Sequence, residues 1–155
     1  MNALELREGW RAFLARYPWD VFITLTFDRK HRSYRYARQG EKADRDFRRL
    51  IRFVNEKLYG RRWSRRTKHG GVIWVRVMEP HEDGTLHYHA ALHSPSESFT
   101  PQLVQAIRDW WQANLGMARS EVPKSREAVV AYLTKNVGDS EGAEVDISFN
   151  FRAPD

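Results

Sequence analysis

In TLHYHAALH, residues 85–93, His87, His89 and His93 share one parity with Ala91 between them, while Leu86, Tyr88, Ala90 and Leu92 share the other. Side chains alternate along a strand, so this segment, if extended, has one apolar face and one face bearing three imidazoles. Two imidazoles at a spacing of two stand side by side, close enough to converge on one ion. A lone histidine is most often a packed core residue. Three of the chain's six histidines on one face of one strand argue for a metal site instead.

The third ligand depends on the turn before that strand. GVIWVRVME, residues 71–79, also reads as a strand, with HEDG turning between the two. If Glu82, Asp83 and Gly84 form a three-residue loop with Gly84 left-handed, His81 pairs with Thr85 and Glu79 falls opposite His87. Glu79 then completes a His-His-carboxylate set. A two-residue Asp83-Gly84 turn would place Glu79 opposite Tyr88 on the apolar face, where an unpaired carboxylate is costly. His93 or His81 would then be the alternative ligand. The chain has no cysteine, which excludes disulfides, thiolate-zinc sites and cysteine nucleophiles. Two imidazoles and a carboxylate suit Mn²⁺ or Mg²⁺ at least as well as Zn²⁺, and three protein ligands leave positions for substrate oxygens.

A second constellation lies in SREAVVAYLTKNVG, residues 125–138. Val129, Val130, Leu133 and Val137 form an apolar helical stripe, and Tyr132 and Lys135 lie off it, three residues apart and so neighbours on the helix surface. A tyrosine hydroxyl is a weak nucleophile at its ordinary pKa near 10, and a neighbouring cation supplies the charge it needs and can hold a phosphate. Taken alone the pair is weak, because a tyrosine on a helix flank is more often a packing residue.

The elements that must carry these residues follow from periodicity. Apolar residues recur at helical spacing from Leu6 to Tyr17, and Pro18 closes that segment. WDVFITLTF, residues 19–27, alternates as a strand. Residues 28–40 are polar and basic and read as an exposed loop, and 41–59 as a long amphipathic helix with arginines on its outer side. Residues 61–71 read as a basic loop, 101–115 as a helix capped by Ser98 or Thr100, and 117–122 as a short strand. Ser125 caps a helix running to about Val137, ended by Gly138. Residues 139–155 hold either an edge strand, VDISF, or a tail. The order predicts an α+β fold with a mainly antiparallel sheet in the split βαβ manner, and a single domain over 1–155.

The charge is segregated. The 155-residue chain carries +6, but residues 29–68 hold 16 of the 26 basic residues against four acidic ones, so that stretch is +12 and the remainder −6. Such a block is a footprint for polyanions, most often nucleic acid, the plainer alternative being a solvated helix face plus a basic loop. Arg61, Arg62, Arg65, Arg66 and Lys68, with Trp63 among them, suit phosphate contact and base stacking. No apolar run approaches the roughly 20 residues of a membrane helix, and no signal segment follows the N-terminus, so the expectation is a soluble, cytoplasmic protein with no membrane partner.

Three segments in this order, FITLTF (22–27), LHYHAALH (86–93) preceded by Glu79, and AYLTKN (131–136), resemble the HUH endonuclease superfamily, in particular the single-tyrosine rolling-circle replication initiators. The likeness spans roughly residues 19–137. It implies a sheet of about five strands with helices on one face and the catalytic face exposed, RRM-like in layout. It implies that His87, His89 and Glu79 hold a divalent ion, Mn²⁺ or Mg²⁺ rather than Zn²⁺, and that Tyr132 attacks single-stranded or stem-loop origin DNA to leave a 5′-phosphotyrosine, with Lys135 assisting. His93 extends the usual histidine pair and stands as an added ligand or a DNA contact. One tyrosine in the third segment argues against two-tyrosine initiators. No GxxxxGK[ST] loop occurs in the chain, so a helicase would come from the host or a fused domain. A single-tyrosine HUH transposase, a non-catalytic RRM-like nucleic-acid-binding domain and a metal-dependent hydrolase using activated water remain the alternatives.

Overall fold

The computed structural model describes residues 1–27, 40–80, 86–139 and 143–151. The expected loop over 28–39 and the turn through His81, Glu82, Asp83 and Gly84 lie outside the described residues. The elements are α1 (Ala3–Leu14), β1 (Val21–Leu25), α2 (Gly40–Tyr59), α3 (Trp63–Arg66), β2 (Ile73–Pro80), β3 (Leu86–His93), α4 (Pro101–Asn114), β4 (Ala118–Glu121), α5 (Arg126–Thr134) and β5 (Glu144–Ile147). The five strands form one sheet in the order β4-β1-β3-β2-β5, with every neighbouring pair antiparallel. This is the predicted α+β architecture. Of the two readings of the C-terminal segment, the edge strand is the one observed.

Local chemistry explains most boundaries. Asn2 and Glu5 cap α1 reciprocally, the Asn2 side chain accepting from the Glu5 amide and the Glu5 carboxylate from the Asn2 amide. Of the two candidate caps for α4, Thr100 is the one used, accepting from the Leu103 amide at 3.1 Å. Within the basic segment 61–71, expected as loop, residues 63–66 form one helical turn, closed by the Thr67 hydroxyl donating to the Trp63 carbonyl at 2.7 Å.

The structure corrects the expectation of helices on one face only. Helices α2 and α4 cover the face carrying Val21, Ile23, Leu25, Trp74, Tyr88, Ala90 and Leu92. Helices α1 and α5 cover part of the other face through Leu14, Val129, Val130 and Leu133, which pack on Ile73, Val75, Val77 and Ala91. The reason lies in the strands. That second face is polar only at the end bearing Glu79, His87, His89 and Thr24, and its apolar remainder would cost about 25 cal/mol per Å² left in water. Two helices therefore roof the apolar end and stop beside the histidines.

Helix α5 also ends earlier than expected, at Thr134 rather than near Val137. Val137 is drawn into a parallel bridge with Ala143, at the sheet edge. The chain turns at Gly138, whose φ is 89° and whose added Cβ would lie 2.9 Å from Ala3 Cα. A tertiary pairing thus ends the helix three residues before the sequence's own stop signal.

Candidate metal centre and nucleophile

The β2–β3 register pairs Glu79 with His87 and Val77 with His89, which sets Glu79, His87 and His89 on one face. This is the pairing that a three-residue loop requires. The Glu79 Oε2 atom lies 3.2 Å from His87 Nε2 and 3.7 Å from His89 Nε2, and one ligand atom from each residue lies within 4.8 Å of the others. Two donors each about 2.1 Å from one ion, at angles of roughly 90–110°, stand about 3.0–3.4 Å apart, so this set fits a divalent cation. Glu79 and His87 are mostly shielded and His89 is buried.

Neighbouring polar groups orient this set. The Thr24 hydroxyl sits 3.2 Å from His89 Nδ1, leaving Nε2 turned toward Glu79, and Phe22 lies parallel to the same imidazole at 6.2 Å. Sequence reasoning missed Asn136. Its side-chain amide donates to Glu79 Oε1 at 3.1 Å, so each oxygen of that carboxylate has its own task. The available signal was spacing, since Asn136 follows Tyr132 by four residues, the interval that brings side chains together along a helix. Partners of this kind fix ligand geometry and tune metal affinity.

Tyr132 stands against this cluster. Its ring centroid is 4.9 Å from that of His89 and 5.3 Å from that of Phe22, edge-to-face in both cases. The side chain is exposed, at 42%, so its hydroxyl is open to a substrate. Lys135 Nζ lies 4.0 Å from the Tyr132 ring centroid, which realises the expected neighbourhood even though Lys135 caps the helix rather than lying within it. Tyr88, between the two histidines in sequence, is no competing nucleophile. It is fully buried on the opposite face, and burial pushes its hydroxyl up to about 12.

His93 does not join the metal donors. Four residues beyond His89, it is carried roughly 13 Å along the strand. Its Nδ1 sits 2.9 Å from Asp20 Oδ2, which also accepts from the Ser94 amide. The expected added ligand is thereby corrected. Arg61, Arg62, Arg65, Arg66 and Lys68 are exposed and Trp63 half-buried. They precede Ile73, which pairs with His93, so they enter the sheet at the end away from Glu79, six strand residues or roughly 20 Å from the metal donors.

Residues 20–139 match the family model for replication-associated proteins of the ORF2 type. No curated protein and no solved structure matches the chain.

Proposed function

Because the chain belongs to this ORF2-type family of replication-associated proteins, we propose that it starts replication as a single-tyrosine HUH endonuclease, nicking and rejoining single-stranded DNA at an origin. One observation carries the reading: the exposed Tyr132 stands edge-on to His89, beside a converging Glu79-His87-His89 set, with Lys135 over its ring. Glu79, His87 and His89 would hold the divalent ion, Mn²⁺ or Mg²⁺. When bound, such an ion supplies Lewis acidity to a phosphodiester.

The chain's own groups account for the rest. The Tyr132 oxygen forms a bond to phosphorus as the bond from phosphorus to the 3′ oxygen breaks. The electron pair leaves on that oxygen, which takes up a proton and departs as a free 3′-OH, while the tyrosine proton passes to solvent. The DNA stays attached as a 5′-phosphotyrosine, and attack by another 3′-OH reverses the step and joins strands. The Lys135 ammonium neutralises charge developing on the phosphate, an electrostatic contribution. The uncovered polar end of the sheet gives the phosphate its access.

Incubation with end-labelled pools of single-stranded and stem-loop DNA plus Mn²⁺ tests this. An SDS-stable protein–DNA adduct is expected, lost on chelation and lost in Tyr132→Phe. Metal-dependent DNA binding with no adduct would favour a binding module and contradict the proposal.

A further inference from the structure

A groove of about 320 Å³ opens beside Tyr132, over β1 and β4, two strands across the sheet from Glu79. It is at the lower end of the roughly 300–1,000 Å³ of small-ligand sites. Its walls are Phe22, Pro123 and Tyr132, and its charged rim is Arg119, Lys124 and Glu121. The register makes it continuous with the candidate centre: Arg119 pairs with Thr24 and Thr24 with His89, so the three stand in one row across the sheet. Arg119, Glu121 and Lys124 are all exposed, and none has an ion pair among those the described residues form.

We propose that this groove is a nucleotide subsite, which takes the nucleotide adjoining the phosphate that Tyr132 attacks. The inference rests on the nicking reading and deepens it. Aromatic and proline walls offer a sequence-tolerant surface to a base. Two cations against one carboxylate leave a single net positive charge, a balance suited to one phosphate beside a base edge rather than to a run of phosphates. The carboxylate of Glu121 repels phosphate and accepts hydrogen bonds, so it faces the base edge while Arg119 and Lys124 hold the backbone. DNA therefore crosses the strands of the sheet, from the metal donors past Tyr132 toward β4.

The test is fluorescence anisotropy with a fluorescein-labelled single-stranded 12-mer of randomised sequence, in EDTA so that no cleavage follows. The full chain is compared with Arg119→Gln/Lys124→Gln and with Arg45→Gln/Arg52→Gln, a control of equal charge change on α2, across the sheet. The groove variant is expected to bind roughly tenfold more weakly, the range of one lost base or phosphate contact, and the control within about twofold of the parent. Equal losses in the two variants, or unchanged binding by the groove variant, would overturn the subsite. If the parent forms the covalent adduct while the groove variant binds normally, the subsite fails and the nicking reading stands. If the parent neither binds nor forms the adduct, both fail.

Discussion

At the scale of single residues, the candidate site divides into what strand parity dictates and what tertiary contact adds. Alternation alone puts His87 and His89 on one face, and hairpin register brings Glu79 to them, so those three were legible in the sequence. The place of His93 was not, because parity fixes a face but not a position along it, and Asp20 captures that imidazole. Asn136 was hidden because it acts only where α5 ends, and a sheet-edge bridge sets that end. Removing the Asn136 amide frees Glu79 Oε1 and loosens the carboxylate. Asn136→Ala is expected to weaken Mn²⁺ binding about 10- to 100-fold by titration calorimetry, with Asn136→Gln recovering part of the loss. Unchanged affinity would remove Asn136 from the centre. On the opposite face the Tyr88 hydroxyl is buried with no hydrogen-bond partner among the described residues, so Tyr88→Phe should be neutral to about 1 kcal/mol stabilising in urea unfolding. A clear loss of stability would mean that the hydroxyl is bonded.

At the scale of elements, helix α2 is fastened to the sheet through a buried arginine. Arg76, on β2, donates to Asp44 of α2 and to Asp146 of β5, and lies over the rings of Phe47, Trp74 and Tyr88. Truncating one partner of such a group strands the others, and Arg76→Ala should cost about 3–5 kcal/mol. The two aspartates of α2 behave oppositely. Burial alone would raise the Asp44 carboxyl, but hydrogen bonds from Arg48 and Arg76 and their charges outweigh it and hold it below the ordinary range. Burial raises Asp46 against the pull of Arg49 and Lys42. A depressed native pKa stabilises the fold above the unfolded carboxylate range near 4, and that support is lost as pH falls through the native value; a raised one works the other way. At pH 7, Asp44→Asn should therefore destabilise by about 1 kcal/mol, and Asp46→Asn should be neutral or stabilising by up to about 1 kcal/mol. The gap between the two variants should close as the medium is acidified below about pH 4, and equal effects at both pH values would refute the assignment. None of this network follows from periodicity. The pattern that gave α2 its apolar stripe cannot say which of its acids meets an arginine from a strand far along the chain.

At the scale of the whole molecule, the charge segregation of the sequence becomes spatial for the residues described. Arg61, Arg62, Arg65 and Arg66 enter the sheet at the end opposite the metal donors, and Tyr59, hydrogen-bonded to Ser94 at 2.6 Å, anchors α2 beside them. The roughly 20 Å between the two ends corresponds to about six base pairs of duplex at 3.4 Å per step. Replacing those four arginines with alanine should weaken binding of stem-loop DNA and flatten its salt dependence by about three to four units of slope, while adduct formation on short single strands persists. Among the described residues no helix is long and apolar enough to cross a membrane. The proposed chemistry turns on one oxygen atom, and tryptic mapping of the Mn²⁺-dependent protein–DNA adduct addresses it. Cleavage after Arg126 and Lys135 releases residues 127–135, with Tyr132 as their one tyrosine. This peptide is expected to carry the nucleotide mass, on Tyr132. A nucleotide on any other residue, or an adduct that survives Tyr132→Phe, would contradict the tyrosine mechanism.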